Sequence, residues 1–397
     1  MEVVILCGGL GTRLRSAVGE TPKCLAPVGG RPFLLYLLRW LGSYHVDHVV
    51  FAVGYLKEQI MDFMASREWP FRYSFAVEET PLGTGGGIRN ALAHCEEEKV
   101  FVVNGDSFFP VALDRVRGTE PVTVLLKPMR DFARYGAVDF DGRRITAFRE
   151  KAPCAEGLIN GGLYLVDRSR LDLHALPEKF SFETDVLAPM AAAGSLGGAV
   201  SGAYFIDIGI PEDYAVAQWS IPAWFAVKAA SEAVLKCPAQ TLFLDRDGVL
   251  NRLLEGDYVK SWEAFEWMPG ILEEMARWHA HFRRIILVTN QRGVGKGLMT
   301  DADLARIHSK MMAGILEAGG RIDLILTCTA VSDDDPRRKP HPGMFEEACA
   351  LFPDIRPEDS VMLGDSASDA AFAAAAGMDF ILLSPEAVSW DSWERPA

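Results

Sequence analysis

The sequence predicts an α/β protein made of two consecutive units, each built on a mostly parallel sheet. Three observations carry this. Short Val/Ile-rich runs alternate with helical stretches over the first two hundred residues, the alternation restarts at residue 241, and glycine or aspartate follows many of the strand-like runs. At 397 residues the chain is too long for one ordinary core. Its apolar content of 49% and charged content of 24% are those of a globular protein.

In the first series, EVVILCG, HVVFAVG, KVFVVNG and PVTVLLK read as strands ended by turn or polar residues. PFLLYLLRWLGS and GGGIRNALAHC carry the apolar spacing of helices packed on a sheet. GAVDFDGRRITAFREK reads as a hairpin turning at Asp141-Gly142. Residues 220–240, Ala-rich and closed by Pro238, read as a terminal helix and connector. TLFLDRDG, RRIILVTNQ, IDLILTC, DSVMLGDS and FILLS form the second series, alternating with HSKMMAGILEAGG and DAAFAAAAG. The expected domains are therefore 1–232 and 241–397, joined by a connector at 233–240.

The formal net charge of -14 argues against nucleic acid as the main partner. No stretch approaches the ~20 apolar residues that cross a membrane, and MEVVILCGG reads as a first strand and not as a signal peptide. A cytoplasmic location is expected. Seven cysteines without a CxxC pair support neither a disulfide framework nor a zinc knuckle, and buried free thiols are expected.

Gly8, Gly9 and Gly11 directly follow the first strand, where backbone N–H groups can approach a phosphate closely. Arg13 and Lys23 supply neutralising charge. The spacing is not that of a Walker A loop. A second glycine-rich stretch, ETPLGTGGG at 79–87, could approach a flat base or a ribose. Asp106 and Asp207 each follow an apolar strand, where open α/β sheets place ligand-binding groups, and both suit a divalent cation. Glu183 and Asp185 read as surface charge. Two strand-end carboxylates beside a glycine-and-basic loop are what nucleotidyl transfer needs.

In GGLGTRLRSAVGETPK, residues 1–219 resemble the sugar-1-phosphate nucleotidylyltransferases, a Rossmann-like (GT-A-like) fold. FIDIGIPEDY and the compact length are most similar to the D-glycero-α-D-manno-heptose 1-phosphate guanylyltransferases. The resemblance implies that Arg13 contacts the triphosphate and Lys23 assists at the attacked phosphate. It implies a nucleotide border of Leu6, Gly8, Gly9, Gly11 and Thr12, continued by Gly83, Thr84 and Gly85. Asp106 and Asp207 would bind Mg²⁺, Lys151 would receive the sugar phosphate, and Glu150, Asn160, Gly161 and Gly162 would lie near the sugar.

In the second unit Asp245 and Asp247 emerge together from the strand TLFL. Asp245 can attack phosphorus, and Asp247 can protonate the leaving oxygen. The Thr289 hydroxyl can hold a phosphoryl oxygen, Lys339 supplies positive charge, and Asp365 completes a metal set with Asp245 and Asp247. Asp369 is a direct or outer partner of that set. These four signals, in order, resemble the HAD-like phosphatases. DRDGVLN, GDYV (with Tyr258), NQRGVGKG, RRKPHPGM and GDSASD are most similar to the D-glycero-D-manno-heptose 1,7-bisphosphate phosphatases and their histidinol-phosphate relatives. That resemblance implies a covalent aspartyl-phosphate at Asp245 and substrate contacts at Asn251, Asn290, Gln291, Arg338 and Lys339.

Relatives often carry a Cys/His zinc loop before the lysine. Here TCTAVSDDDPRRKPHPG offers only Cys328, with His341 after the lysine, so no zinc is expected. Arg246 reads equally as an orienting or a substrate-contacting residue. Lys296 reads as an ordinary loop lysine, and Trp262, Phe265 and Trp267 as packing.

Together the resemblances imply two reactions in sequence. The second unit would remove the C7 phosphate of a heptose 1,7-bisphosphate. The first would transfer GMP from GTP to the heptose 1-phosphate, with Mg²⁺ at both sites and with sugar phosphates and nucleotide as the only partners beyond a possible second copy. Two alternatives stay open on the residues: the same reaction types on another sugar bisphosphate with CTP, ATP or dTTP, and a non-catalytic nucleotide-sugar-binding protein.

Overall fold

The computed structural model describes residues 1–9 and 13–394. The chain divides into two compact units, Met1–Trp219 with Trp390–Ala397, and Ser220–Ser389.

In the first unit, four strands lie side by side in the order Lys99–Asn104, Glu2–Leu6, His48–Val53 and Arg72–Val77, all parallel. Their β-branched residues fill the core, and Val3, Val4, Val49, Val50, Val100 and Val102 are fully buried. The strand Cys154–Asp167 joins antiparallel to Lys99–Asn104 and carries the outer strands Val122–Phe132 and Gly136–Phe140. Gly136–Phe140 and Ile145–Lys151 form the expected hairpin; Gly142 adopts φ 98° and Asp141 Oδ1 accepts from the Arg143 and Arg144 N–H groups. A short antiparallel pair, Ser107–Phe108 with Ile206–Asp207, sits off the main sheet.

The second unit holds a five-stranded parallel sheet in the order Leu324–Cys328, Arg284–Asn290, Thr241–Leu244, Ser360–Gly364, Asp379–Leu382. Thr241–Leu244 occupies the centre, so both neighbours end beside it at the carboxyl edge.

The boundaries differ from the expected 232 and 241. Helix Pro211–Lys236 runs unbroken through the first of these positions. Its later residues belong to the second unit because they enclose the fully buried Glu274: Lys228 Nζ lies 2.6 Å from Glu274 Oε1, and Ser231 Oγ donates to Glu274 Oε2. The last described residues belong instead to the first unit. The Trp390 ring lies under the Arg39 guanidinium at 4.0 Å and edge-on to Tyr36 at 5.1 Å. Trp390 is buried there, which takes a large apolar ring out of water. No helix among the described residues is long and apolar enough to cross a membrane.

Candidate active sites

The first site is a cavity of about 320 Å³ at the carboxyl edge of the parallel strands. It is lined by Leu6, Gly8, Gly9, Lys23, Glu78, Gly83, Thr84, Gly87, Asn104 and Asp106, among others. Gly11 and Thr12 lie outside the described residues, and Arg13, just after them, is exposed.

The two expected metal ligands meet through the short antiparallel pair. Asp207 lies opposite Ser107, and the Ile208 N–H donates to the Asp106 carbonyl at 2.9 Å. Lys23 Nζ donates to Asp106 Oδ2 and lies 3.8 Å from Asp207 Oδ1. Burial and the neighbouring Asp106 push the Asp207 carboxyl up, against the pull of Lys23. Two carboxylates against one ammonium leave an excess of negative charge, so the pair fits a divalent cation.

The glycines divide by role. A Cβ on Gly83, which has φ 73°, would stand 2.5 Å from the Phe180 carbonyl oxygen; one on Gly85 would stand 2.2 Å from the Phe180 ring. These glycines admit the 178–180 segment. The space a side chain of Gly85 would occupy is filled by the ring of Phe180. The Thr84 hydroxyl accepts from the Phe182 N–H. Gly161 sits under the Phe109 ring and Gly162, at φ 70°, against Asn104. Asn160 is spent locally, donating to the Tyr164 hydroxyl and accepting from the Gly162 N–H. Lys151 pairs in register with Gly136, one residue from Tyr135, and Glu150 and Lys151 are exposed.

Three residues here escaped the sequence reading. Tyr135 is half-buried, edge-on to Phe205, and burial, then the charge of Asp207, raises its hydroxyl. Arg134 pairs with Asp213. Glu78 follows the fourth strand and faces the cavity. Only the glycine beside Tyr135 and the acidic pair before the glycine stretch signalled them.

In the second site Asp245, Thr289 and Asp365 end three adjacent strands or follow directly on them. Carboxylate oxygens of Asp245, Asp365 and Asp369 approach within 4.8 Å of one another. Lys339 Nζ is 2.8 Å from Asp245 Oδ1 and 2.6 Å from Asp369 Oδ1. Burial pushes Asp245 up to about 6, Lys339 opposing, and pushes Asp365 up to about 7, reinforced by Asp245 and Asp369. Three clustered acids against one lysine again fit a divalent cation. Asp369 is already committed, to Lys339 through Oδ1 and to Ser366 through Oδ2, which leaves Asp245 and Asp365 as the available pair.

Asp247 departs from the expected metal set. Its carboxylate turns to Arg246 NH2 at 2.9 and 3.0 Å, Asn251 Nδ2 at 2.9 Å and Gln291 Nε2 at 2.8 Å. Burial opposes its charge, but Arg246, Asn251 and Gln291 prevail and hold it below the usual carboxylate range. The same residues answer two other expectations. Arg246 is fully buried and orients Asp247. Asn251 and Gln291 bond to Asp247, and Gln291 also bonds to the buried Thr289 hydroxyl at 2.9 Å. Asn290 clamps the Lys339 backbone at both its amide ends, 3.0 and 3.1 Å. Arg338 Nε donates to Asp333 Oδ1 at 3.1 Å, and Arg292 pairs with the same oxygen. Cys328 Sγ donates to Asp335 at 3.7 Å, His341 bonds to the Asp333 carbonyl, and Lys296 donates to the Tyr258 hydroxyl at 3.1 Å. Trp262, Phe265 and Trp267 pack on one another.

Residues 2–222 match the nucleotidyl transferase family, and residues 336–387 the HAD-hydrolase-like family. The chain is 42% identical, over 55% of its own length and 97% of the relative's, to the D-glycero-alpha-D-manno-heptose 1-phosphate guanylyltransferase of Aneurinibacillus thermoaerophilus. It is 42% identical, over 34% of its length and 74% of the relative's, to the D-glycero-alpha-D-manno-heptose-1,7-bisphosphate 7-phosphatase of Mycobacterium tuberculosis. The crystal structure of HddC from Yersinia pseudotuberculosis superposes with TM-score 0.51, at 35% identity, covering 55% of this chain and 97% of that one. Its complex with GMP-PN superposes at 0.50. The chain thus belongs to the nucleotidyl transferase family through its first unit and to the HAD-hydrolase-like family through its second.

Proposed function

We propose that this chain is a bifunctional enzyme of GDP-heptose synthesis. Its second unit removes the C7 phosphate of D-glycero-D-manno-heptose 1,7-bisphosphate. Its first unit joins the resulting heptose 1-phosphate to GMP from GTP, releasing pyrophosphate. The observation that carries this reading is the presence, on one chain, of 42% identity to enzymes named for each of two reactions that share an intermediate.

In the second unit, Asp245 attacks phosphorus, the bond to the C7 oxygen breaks, and Asp247 delivers the proton that oxygen needs. Water then cleaves the aspartyl-phosphate, with Asp247 taking up its proton. The three donors that keep Asp247 ionised suit this second half-step; the negative charge of bound phosphate raises Asp247 for the first. Lys339 offsets phosphoryl charge, Thr289 donates to a phosphoryl oxygen, and Arg246 holds Asp247 in reach. Mg²⁺ held by Asp245 and Asp365 would neutralise further charge on the phosphoryl group.

In the first unit, a phosphate oxygen of the sugar phosphate attacks the α-phosphorus of GTP, and the bond to pyrophosphate breaks. In this reading Lys23 holds the attacked phosphate and Arg13 the triphosphate; the position of Lys23 between Asp106 and Asp207 supports the first role. Mg²⁺ held by Asp106 and Asp207 would offset charge on the α-phosphate and the leaving group. Lys151 receives the sugar phosphate in this reading, supported by its exposed ammonium and its pairing with Gly136, next to Tyr135. No zinc is assigned, and the partners are small molecules in the cytoplasm.

The test is product analysis of the purified protein with Mg²⁺, heptose 1,7-bisphosphate and each nucleoside triphosphate in turn. GDP-heptose with phosphate and pyrophosphate is the expected result. Phosphate release without any nucleotide sugar would overturn the transferase half.

A further inference from the structure

Cys7 directly follows the strand Glu2–Leu6, and Cys24 sits in the single turn Lys23–Leu25. Both are free thiols that line the cavity of the first site, and the Cys7 thiol donates a hydrogen bond to the Cys24 sulfur. The hydrogen bonds of Cys95, Cys154, Cys237 and Cys328 go to oxygen instead. No CxxC spacing announces the pair; the fold brings it together.

The two thiols differ in freedom. The Cys7 N–H is bonded to the Ala52 carbonyl at 2.9 Å, and a Cβ on Gly105 would stand 3.2 Å from the Cys7 sulfur. Cys7 is thus fixed between the neighbouring strands. The turn that carries Cys24 is closed only by local bonds, Leu25 N–H to the Pro22 carbonyl at 2.8 Å and Ala26 N–H to the Lys23 carbonyl at 3.1 Å. Such a turn shifts more readily than a central strand. Lys23 precedes Cys24 in it, its ammonium donating to Asp106 and 3.8 Å from Asp207. Drawing Cys24 towards Cys7 therefore moves the backbone that carries Lys23. The bond to Cys24, and then burial, hold the Cys7 thiol well above its usual range, so Cys7 keeps its proton and Cys24 reacts first.

From this facing pair we propose that Cys7 and Cys24 are a modification site for hydrogen peroxide, which joins them in a disulfide and shuts off transfer in the first unit. The Cys24 sulfur attacks one peroxide oxygen, the O–O bond breaks, and the departing hydroxide leaves with the Cys24 proton as water, giving a sulfenic acid. The Cys7 sulfur then attacks the Cys24 sulfur. The S–O bond breaks, and the second hydroxide takes the Cys7 proton. Two thiols are oxidised to one disulfide, and one peroxide is reduced to two waters. Formation of the bond is independent of the guanylyltransferase reading; its effect on transfer rests on that reading.

The test treats the full chain, reduced and then freed of reductant, with hydrogen peroxide. Unreduced peptides are mapped by mass spectrometry, and guanylyl transfer and phosphate release are assayed on the same sample. The expected result is a joined pair of peptides carrying Cys7 and Cys24, short of two hydrogens. Transfer should fall roughly 10–100-fold, as for a misplaced catalytic group, phosphate release should persist, and dithiothreitol should restore transfer. Cys24→Ala should keep its own transfer rate through the same treatment. Absence of the joined peptides overturns the site, and the wild-type map decides this even if the alanine variant fails to fold. Equal loss of transfer in Cys24→Ala, or loss that dithiothreitol does not reverse, overturns the control of transfer by this pair. A reduced protein without transfer from GTP would overturn the guanylyl reading instead, and the peptide map would still decide the thiol pair.

Discussion

Lys339 Nζ and Asp369 Oδ1 lie 2.6 Å apart in a fully enclosed ion pair, with Asp245 on the other side of the ammonium at 2.8 Å. One buried lysine therefore serves two carboxylates that would otherwise repel each other, and Asp369 fixes the ammonium beside the nucleophile. The two acids also raise the Lys339 ammonium against its burial, so it stays charged.

Replacing Lys339 by Met should lower phosphatase kcat/KM by at least about 10²-fold, as for loss of a charge-stabilising group. It should also destabilise the second unit by about 3–5 kcal/mol, because buried carboxylates lose their partner. Phosphate release and a urea midpoint measure both. Guanylyl transfer by the same preparation should persist, and its loss would show that the whole chain had failed to fold.

Asp333 is an exposed acid whose Oδ1 accepts from Arg338 Nε at 3.1 Å and from Arg292. Buried N–H groups of both arginines, Arg292 Nε and Arg338 NH1, have no partner among the described residues. Asp333→Asn should leave the two guanidiniums more available to anions, so inorganic phosphate should inhibit the phosphatase several-fold more tightly. Weaker inhibition would mean that Asp333 instead positions the arginines.

His308 is held down to about 4 by burial and by Arg246, whose NH1 approaches its Nε2 at 3.4 Å. Its folded pKa is below the unfolded value of 6.5. The unfolded chain thus binds the extra proton first, and the contribution of His308 to stability falls as pH drops from about 6.5 towards 4. The full loss is at most about 3 kcal/mol. Asp245 and Asp365, raised to about 6 and about 7, titrate in the same window with the opposite sign. The readout is therefore the difference in denaturant midpoint between wild type and His308→Gln: it should shift across the window, and a constant difference would exclude His308.

Gly42 ends the helix Phe33–Leu41 with the Trp393 ring against it, and an added Cβ would stand 2.3 Å from that ring. Gly42→Ala should therefore cost about 1–3 kcal/mol by overpacking, although φ -65° suits alanine. Removing residues 390–397 should destabilise the first unit and cancel the penalty of the alanine. If the alanine still costs as much in the shortened chain, Trp393 is not its cause.

Much was legible locally. Strands such as Glu2–Leu6 and Thr241–Leu244 announce themselves by apolar runs. Asp106, Asp245 and Asp365 are readable because a strand-end carboxylate is a pattern within a few residues. The Asp141-Gly142 turn is likewise a short-range signal, since only a few residues tolerate its dihedral angles. Glu78 was passed over because its neighbour Glu79 looks the same in sequence; only the exposure of one and the cavity position of the other separate them.

Composition, periodicity and motif spacing settled the two α/β units, their order and the chemistry each belongs to, because these depend on residues close together in the chain. Other matters rest on contacts between residues far apart. Gly85 admits the Phe180 ring. Asp247 turns to Gln291. Trp390 returns to Tyr36, more than three hundred residues earlier. Such pairings are chosen by which surfaces close upon one another when the sheet and helices pack, and a linear pattern carries no record of that choice.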